Sequence, residues 1–240
     1  MRAVILAGGR GTRLAPFTTV IPKPLLPVGD KAILEIVCRQ LADAGFDRIT
    51  LSLGYMSEYF RVFLAMNRSL RQLVEIDFVE ETEPTGTAGS LASVPGLEGA
   101  FLVMNGDILT NLDYADLMRQ HRASGGLITI ASHQKTVKID LGILELDNER
   151  TVRGYVEKPV MHYPVSMGIY AYDAAALEYV ERGKYLDFPN LVLKLLAAGK
   201  KVCAYPNDAT WLDLGRHEDF AEACRLFNTN EGAFAPRRAA

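Results

Sequence analysis

The chain has 240 residues, of which 49% are apolar and 23% charged, and its formal net charge is −3. This composition fits one globular domain or two joined lobes, and the slight acidity argues against a nucleic-acid partner held by bulk charge. No apolar run reaches the roughly 18 residues of a membrane span. The three cysteines lack metal or redox spacing, so we expect reduced thiols in a cytoplasmic protein that binds neither nucleic acid nor membrane.

The first half alternates strand-like and helix-like segments. Apolar or alternating runs predict strands over 2–7, 48–53, 73–79 and 100–104. Helical spacing predicts helices over 31–44 with Asp30 as N-cap, over 57–67 with Ser57 as N-cap, and over 86–94 and 113–124. This alternation predicts an α/β fold with a doubly wound, mostly parallel, Rossmann-like sheet.

The second half changes its pattern after Gly125. Strand-like segments over 127–132, 142–146, 152–157 and 165–172 predict an inserted antiparallel or mixed region. A helix capped by Asp173, a helix over 188–198, a strand over 201–205 and a helix over 217–227 follow. We therefore predict one domain over 1–227, with halves 1–124 and 125–227, and a flexible tail over 228–240.

A glycine-rich, basic loop follows the first strand. In open α/β sheets, ligands bind at the carboxyl ends of the strands, and glycines let backbone N–H groups approach phosphate oxygens. The loop lacks the Gly-Lys-Ser/Thr of a P-loop and the third glycine of the dinucleotide fingerprint, which leaves another phosphate loop or a simple tight turn. Its candidate nucleotide-binding residues are Leu6, Ala7, Gly8, Gly9, Gly11, Thr12 and Arg13.

Lys23 stands between Pro22 and Pro24. The two prolines fix the backbone on both sides of the lysine and prevent helix formation there. We interpret Lys23 as a preorganised cation that faces phosphates, with a solvated loop lysine as the alternative.

Residues 80–89 predict a nucleobase pocket, because Gly86, Ala88 and Gly89 leave space at a helix start. A carboxylate at Glu81 would accept hydrogen bonds from a base. Guanine offers two adjacent N–H donors, whereas uracil and thymine offer one. An ordinary acidic surface turn is the alternative. The candidates are Glu81, Pro84, Gly86 and Thr87.

Asn105, Gly106 and Asp107 follow a buried strand, and Asp213 lies in a later Trp-Leu-Asp-Leu-Gly segment. Two carboxylates with substrate phosphates are a usual way for a protein to hold Mg²⁺. We predict Asp107 and Asp213 as the metal ligands, with two unrelated aspartates as the alternative.

Small and charged residues in the second half predict a sugar-phosphate subsite. Glu157 and Lys158 offer a carboxylate for hydroxyls and a cation for phosphate, or else form an ordinary surface ion pair. Gly142, Ser166 and Gly168 leave room for a sugar ring. The four histidines form no spaced set, and no Ser-His-Asp or Cys-His arrangement is visible.

The order of these motifs resembles that of the sugar-1-phosphate nucleotidylyltransferases. The shared motifs are Gly8–Leu14, Pro22–Leu25, Gly86–Gly89, Asn105–Asp107, Glu157–Pro159 and Trp211–Gly215. The resemblance implies a reaction in which an NTP and a sugar 1-phosphate give an NDP-sugar and pyrophosphate, with Mg²⁺ as cofactor, in nucleotide-sugar and polysaccharide biosynthesis. Glu81 makes the base motif look more like that of mannose- or heptose-1-phosphate guanylyltransferases than that of thymidylyltransferases, which usually carry glutamine there.

By this resemblance, Gly8, Gly9, Gly11, Thr12 and Arg13 hold the triphosphate, and Lys23 lies between the α-phosphate and the sugar phosphate. The same resemblance gives Glu81, Pro84 and Gly86 to the base, Asp107 and Asp213 to Mg²⁺, and Gly142, Glu157 and Lys158 to the sugar phosphate, with Ser166 and Gly168 close by. We expect Arg13, Lys23, Asp107 and Asp213 to be the catalytic set.

Other functions stay open at this point. The same reaction with dTTP or UTP and another sugar is the first alternative. A glycosyltransferase would use Asn105–Asp107 in place of its DxD motif, and an inactive nucleotide-sugar sensor would bind without turnover. Exposed apolar strands in the second half also leave a homodimer open.

Overall fold

A computed structural model describes residues 1–229 and 234. Its strands are β1 (Arg2–Ala7), β2 (Pro27–Val28), β3 (Lys31–Ala32), β4 (Arg48–Leu53), β5 (Glu75–Glu80), β6 (Ala100–Asn105), β7 (Ile108–Thr110), β8 (Ile128–Lys138), β9 (Ile143–Leu146), β10 (Val152–Val156), β11 (Val160–Asp173), β12 (Val202–Asn207) and β13 (Trp211–Asp213). Its helices are α1 (Ile33–Asp43), α2 (Ser57–Met66), α3 (Arg68–Leu73), α4 (Gly86–Gly89), α5 (Tyr114–Ser124), α6 (Phe188–Ala197) and α7 (His217–Thr229). None of these helices is long and apolar enough to cross a membrane.

The central sheet has seven strands in the order β12-β8-β11-β6-β1-β4-β5. Strands β6, β1, β4 and β5 run parallel to one another, and β12 runs parallel to β8. Strand β11 is antiparallel to both of its neighbours, β6 and β8. The prediction of a mostly parallel, Rossmann-like α/β sheet is therefore confirmed.

The antiparallel part predicted as an insertion belongs to this same sheet. Strands β8 and β11 are longer than predicted, and they pair from Ile128↔Tyr172 out to Lys138↔Val160. The residues of both outer ends are exposed on both faces, mainly polar ones in β8 and mainly apolar ones such as Val160 and Met161 in β11, so neither end shows the alternation of a half-buried strand. The β9–β10 hairpin forms a separate two-stranded sheet.

Two helix starts differ from the prediction. Helix α1 begins at Ile33 rather than at residue 31, because Lys31–Ala32 pairs with Pro27–Val28 in a small hairpin. Asp30 makes no cap and instead accepts a hydrogen bond from Lys31 at 2.8 Å. Ser57 is the first residue of α2 rather than its N-cap.

Helix α3 was missed by the sequence reading, and the strand predicted from residue 73 begins at Glu75. The side chain of Asn67 caps α3 by accepting a hydrogen bond from the Leu70 N–H. Six residues give too short a helical pattern to separate from the strand that follows.

The core lies on both faces of the sheet, as a doubly wound fold requires. Ile5 of β1 packs into the cluster that contains Leu41 of α1, while Val4 packs into the cluster that contains Leu191 of α6. Helix α7 continues through Thr229, two residues into the predicted tail, and Phe234 is buried. The rest of that predicted tail, 230–233 and 235–240, lies outside the described residues.

The carboxyl ends of β1, β4 and β6 lie against one another through their backbones. The Gly106 N–H donates to the Leu6 carbonyl at 2.9 Å, and the Tyr55 N–H donates to the Gly8 carbonyl at 3.3 Å. A Cβ on Gly54 would lie only 2.9 Å from the Gly8 oxygen. Gly54 is therefore the residue whose missing side chain lets the loop after β1 settle on the end of β4.

We predict that Gly54→Ala lowers the free energy of unfolding by about 1–3 kcal/mol, because the new methyl group overlaps the Gly8 backbone. Gly9→Ala is the matched control, since a Cβ at Gly9 meets nothing within 4 Å. Urea titrations of both variants measure the difference. Equal stability of Gly54→Ala and Gly9→Ala would contradict the close contact.

Candidate active site

A cleft of about 690 Å³ lies at the edge of the sheet where β1, β4, β5 and β6 end. It collects all of the predicted nucleotide-binding residues and one predicted metal ligand. The predicted residues that line it are Leu6, Ala7, Gly8, Gly9, Gly11, Thr12, Arg13, Lys23, Glu81, Pro84, Gly86, Thr87, Asn105, Gly106 and Asp107. Three stretches that are far apart in the sequence thus meet in one cavity.

The opening loop forms the floor of this cleft with its backbone. Gly11 adopts a left-handed conformation with φ of 61°, and Thr18 fixes it by donating to its carbonyl at 2.8 Å. A short 3-10 turn follows, and its buried Leu14 anchors the loop to the core. None of the described residues accepts a hydrogen bond from the N–H of Gly9, Arg10 or Gly11. Such free N–H groups suit an anion.

Lys23 lies in the wall of the cleft and is only 7% exposed. Lys23 is the first residue of a 3-10 turn. Pro22, which precedes it, has an extended backbone and fixes the direction in which the chain enters this turn. The Lys23 ammonium donates to Asp107 Oδ2 at 2.5 Å. The lysine predicted to meet phosphates is thus paired, in the described structure, with a carboxylate predicted to meet the metal.

Asp213 reaches the same place through strand pairing. Strand β13 pairs with β7, which sets Asp213 opposite Ile108, and the Leu214 N–H donates to the Asp107 carbonyl at 3.1 Å. Protein packed around the Asp213 carboxyl raises its pKa, and the charge of Asp107 raises it further, whereas Lys23 and Arg13 act in the opposite direction. The side chain is nevertheless in contact with solvent.

The two carboxylates fit a magnesium ion shared with a substrate. Within the described residues no three His, Cys, Asp or Glu side chains come together as a metal site. A site built from protein ligands alone is therefore absent from that part of the chain. Mg²⁺ is commonly held by one or two carboxylates plus substrate phosphates, which matches the pair Asp107 and Asp213.

Arg13 lies on the other side of Asp213. The guanidinium Nη1 of Arg13 and Asp213 Oδ1 both lie 3.3 Å from the position that a Cβ on Gly215 would occupy. Arg13 makes no ion pair within 4.0 Å of any acidic group in the described residues. Its charge is therefore available to a ligand in the cleft.

Glu81 lies at the end of β5 and is engaged on both carboxylate oxygens. Ser52 donates to Oε1 at 3.1 Å, while the N–H and hydroxyl of Thr85 donate to Oε2 at 3.1 and 2.8 Å. A carboxylate has about four lone-pair positions, so one acceptor position remains on Oε1. Glu81 thus stabilises the turn that precedes α4, and it can accept about one further hydrogen bond, for example from a base.

A segment from the second half, residues 185–187, borders the cleft beside α4 and was not predicted from the sequence. Ala88 and Gly89 of α4 both donate their N–H to the Leu186 carbonyl at 2.9 Å. Tyr185 donates its hydroxyl to Asp187 at 2.8 Å, and both side chains line the cleft. No strand ends at this segment, so the sequence offers no signal for it.

Gly54 and Tyr55 also line the cleft and were not predicted. Gly54 and Tyr55 follow β4 directly. The principle that ligands bind at the carboxyl ends of the strands, which led to the other residues, therefore predicts these two as well. The Arg10 guanidinium lies 5.8 Å from the centre of the Tyr55 ring. Ser90 is a further lining residue, and its buried hydroxyl has no hydrogen-bond partner in the described part of the chain.

The predicted sugar-phosphate residues divide into two groups. Gly168 lies against the nucleotide set, because a Cβ there would meet Asn105 Nδ2 at 2.7 Å, and its N–H donates to the Ser166 hydroxyl at 3.3 Å. Gly142 and Glu157 lie near Tyr155 of the β9–β10 hairpin and are not among the residues that line the described cleft, and Lys158, next to Glu157 in the sequence, is exposed. The structure thus brings only the first group to the nucleotide set.

Comparison with curated proteins finds relatives with related names. A UTP–glucose-1-phosphate uridylyltransferase from Synechocystis is 30% identical over 94% of this chain and 63% of its own length. A mannose-1-phosphate guanylyltransferase from Mycobacterium tuberculosis is 30% identical over 91% of this chain and 62% of its own length. The chain spans less than two thirds of the length of these relatives.

Solved structures give matches of similar size to this chain. HddC from Yersinia pseudotuberculosis is 29% identical, with a TM-score of 0.71, and the match covers 94% of this chain and 99% of HddC. HddC complexed with GMP-PN matches with a TM-score of 0.72 and 28% identity. The model of the nucleotidyl transferase family matches residues 2–230. The chain therefore belongs to the nucleotidyl transferase family.

Proposed function

We propose that the protein is a sugar-1-phosphate nucleotidylyltransferase, which joins an NTP and a sugar 1-phosphate to give an NDP-sugar and pyrophosphate. One observation carries the proposal: free backbone N–H groups, Lys23, Arg13 and Asp107 line one cleft, and Asp213 lies beside Arg13 at its border. Each of these groups suits phosphate or a metal bound to phosphate. Family membership supports the same reaction class.

The triphosphate lies along the loop after β1 in this proposal. Its oxygens accept hydrogen bonds from the N–H groups of Gly9 and Gly11, and Gly8, Thr12, Leu6 and Ala7 shape the same wall. Arg13 neutralises charge that grows on the leaving pyrophosphate. Mg²⁺ bound at Asp107 and Asp213 would neutralise charge on phosphate oxygens and fix their orientation.

Bond exchange needs no nucleophile from the protein. An oxygen of the sugar phosphate is already ionised near neutral pH, so it attacks the α-phosphorus directly. The new P–O bond forms as the bond between the α-phosphorus and the bridging oxygen to the β-phosphate breaks, and pyrophosphate leaves with that electron pair. No histidine or cysteine lines the described cleft. The chain contributes position and charge.

For the finer specificity, we propose GTP as the nucleotide and a manno-configured hexose or heptose 1-phosphate as the sugar. The carboxylate at Glu81, together with Pro84, Gly86 and Thr87 in the wall, supports guanine. The guanylyltransferase relative and the GMP-PN complex of HddC add support, while the uridylyltransferase relative keeps UTP as the alternative. Asn105 and Gly106 would contact the nucleotide where β6 ends.

For the sugar phosphate, we propose Gly142, Glu157, Lys158, Ser166 and Gly168. The hairpin residues would have to approach the cleft when the sugar 1-phosphate binds. Leu144, Leu146, Val152 and Tyr155 of that hairpin expose 51–62% of their surface. A homodimer through such apolar strands stays a prediction, as does a cytoplasmic location.

We predict that Lys23→Ala lowers kcat by roughly a hundredfold or more, since one preorganised donor is worth about 2.7–4 kcal/mol in the barrier. Pyrophosphate release measures kcat, and circular dichroism checks that the variant folds. Lys200→Ala is the control, because Lys200 is exposed and precedes β12 at the opposite edge of the sheet. Near wild-type turnover of Lys23→Ala would refute the assigned role.

We predict that Glu81→Gln leaves the protein folded but reduces the preference for GTP over dTTP at least about tenfold, a difference of about 1.4 kcal/mol. The glutamine oxygen can accept from Thr85 while its amide donates to the Ser52 hydroxyl, so all three contacts have partners. The readout is kcat/KM for both nucleotides. An unchanged preference would mean that Glu81 holds the turn but does not read the base.

A matrix of GTP, dTTP, UTP, CTP and ATP against several sugar 1-phosphates tests the proposed substrates by pyrophosphate release. We expect GTP with a manno-configured sugar phosphate to give the highest kcat/KM. A clear preference for dTTP or UTP would overturn the interpretation of Glu81. Tight binding without turnover would identify a nucleotide-sugar sensor, and glycosyl transfer without pyrophosphate would identify a glycosyltransferase.

A further inference from the structure

The Lys23–Asp107 ion pair places an ammonium on an oxygen that a metal would need. The Lys23 side chain is 8% exposed and that of Asp107 is 27% exposed, and their atoms lie 2.5 Å apart. Prolines on both sides of Lys23 restrict its backbone. In the protein without substrate, this lysine is therefore held on Asp107 rather than extended into solvent.

Two positive side chains lie close to the two aspartates. Asp107 and Asp213 bring two negative charges, and Lys23 and Arg13 bring two positive charges that act on Asp213. The other charge that acts there is Asp219 in the first turn of α7, with the weakest effect. A divalent ion that entered alone would leave this place with an excess of positive charge, and it would meet the Lys23 ammonium on Asp107.

A nucleoside triphosphate removes both obstacles. Its phosphates supply the negative charge that a divalent ion needs as well as the missing oxygen ligands. They also offer Lys23 new acceptors next to its present one, in a cleft that Lys23 and Asp107 both line.

We propose that Lys23 is the resident counter-ion of the metal site. It occupies Asp107 in the free protein and passes to the phosphates when the nucleotide arrives, which leaves Asp107 to the metal. The metal therefore binds together with the nucleotide and not before it. This inference rests on the proposed function, because it takes the ligand to be a triphosphate.

The test measures metal binding without nucleotide or sugar. Mn²⁺ is titrated into the wild-type protein, Lys23→Met and Arg13→Met, and free Mn²⁺ is followed by its electron paramagnetic resonance signal. Methionine keeps the apolar stem of Lys23 in place and removes only the charge. Arg13→Met is the matched control, since it removes a charge near Asp213 but frees no oxygen of Asp107.

We expect weak binding by the wild type, binding of one Mn²⁺ at least tenfold tighter by Lys23→Met, and a clearly smaller gain for Arg13→Met. Adding Asp107→Asn to Lys23→Met should abolish the gain. Equal binding by wild type and Lys23→Met overturns the proposal, as does an equal gain in both single variants. If Lys23→Met fails to fold, the titration of the wild-type protein still tests the proposal. Tight binding of one Mn²⁺ by the wild type without nucleotide would overturn the proposal.

Pyrophosphate release by the wild type keeps the two proposals apart. Transfer activity together with tight nucleotide-free binding of Mn²⁺ refutes the counter-ion and leaves the proposed function standing. If the protein shows the expected Mn²⁺ binding but no transfer activity, the proposed function is refuted and the role of Lys23 as counter-ion is supported.

Discussion

The close contact of three backbones at the carboxyl edge of the sheet determines the rest of the site. The loop after β1 rests on the end of β4 because Gly54 has no side chain, and it rests on β6 through the hydrogen bond from Gly106 to Leu6. Since β1 is flanked by β4 and β6 in the sheet, the loops after these strands must meet. This packing brings together the free N–H groups and Asp107, and the hydrogen bond from the Glu81 N–H to the Leu53 carbonyl adds the carboxylate that follows β5.

The positive charges in the cleft are the second requirement of the proposed function. Two anionic substrates repel each other, so a protein that joins them must place cations where the phosphates meet. Lys23 and Arg13 are such cations. In the free protein Lys23 is paired with Asp107, whereas Arg13 lies beside Asp213 without an ion pair among the described residues. In the proposed function, these two cations receive the phosphates, and the two aspartates receive the metal that binds with them.

The sheet and the residues that line the cleft were predictable from the sequence, because both depend on local patterns; that these residues bind a nucleotide stays a prediction. Apolar runs mark the strands, and polar or glycine-rich residues mark their ends. Gly54 and Tyr55 obey the same rule and were overlooked only because their segment lacks charged residues. Asp213 was predicted from its Trp-Leu-Asp-Leu-Gly motif, and the pairing of β13 with β7 brings it towards Asp107, while its role as a metal ligand stays a prediction.

What depends on tertiary contact could not be predicted. The 185–187 segment borders the cleft through backbone hydrogen bonds to α4, which no residue type announces. The ion pair of Lys23 with Asp107 and the three hydrogen bonds to Glu81 likewise follow from folding. The sequence indicated which groups the site contains, whereas the structure indicates which of them already have partners.

In the proposed function, this cleft transfers a nucleotidyl group directly, by position and charge, without a covalent intermediate on the protein. Exchange of labelled pyrophosphate into GTP, measured in the absence of any sugar 1-phosphate, tests it most directly. Direct transfer predicts no exchange until the sugar phosphate or the NDP-sugar is added. Rapid exchange without either would mean that a side chain, Lys23 first among them, accepts the nucleotidyl group, and it would contradict the claim.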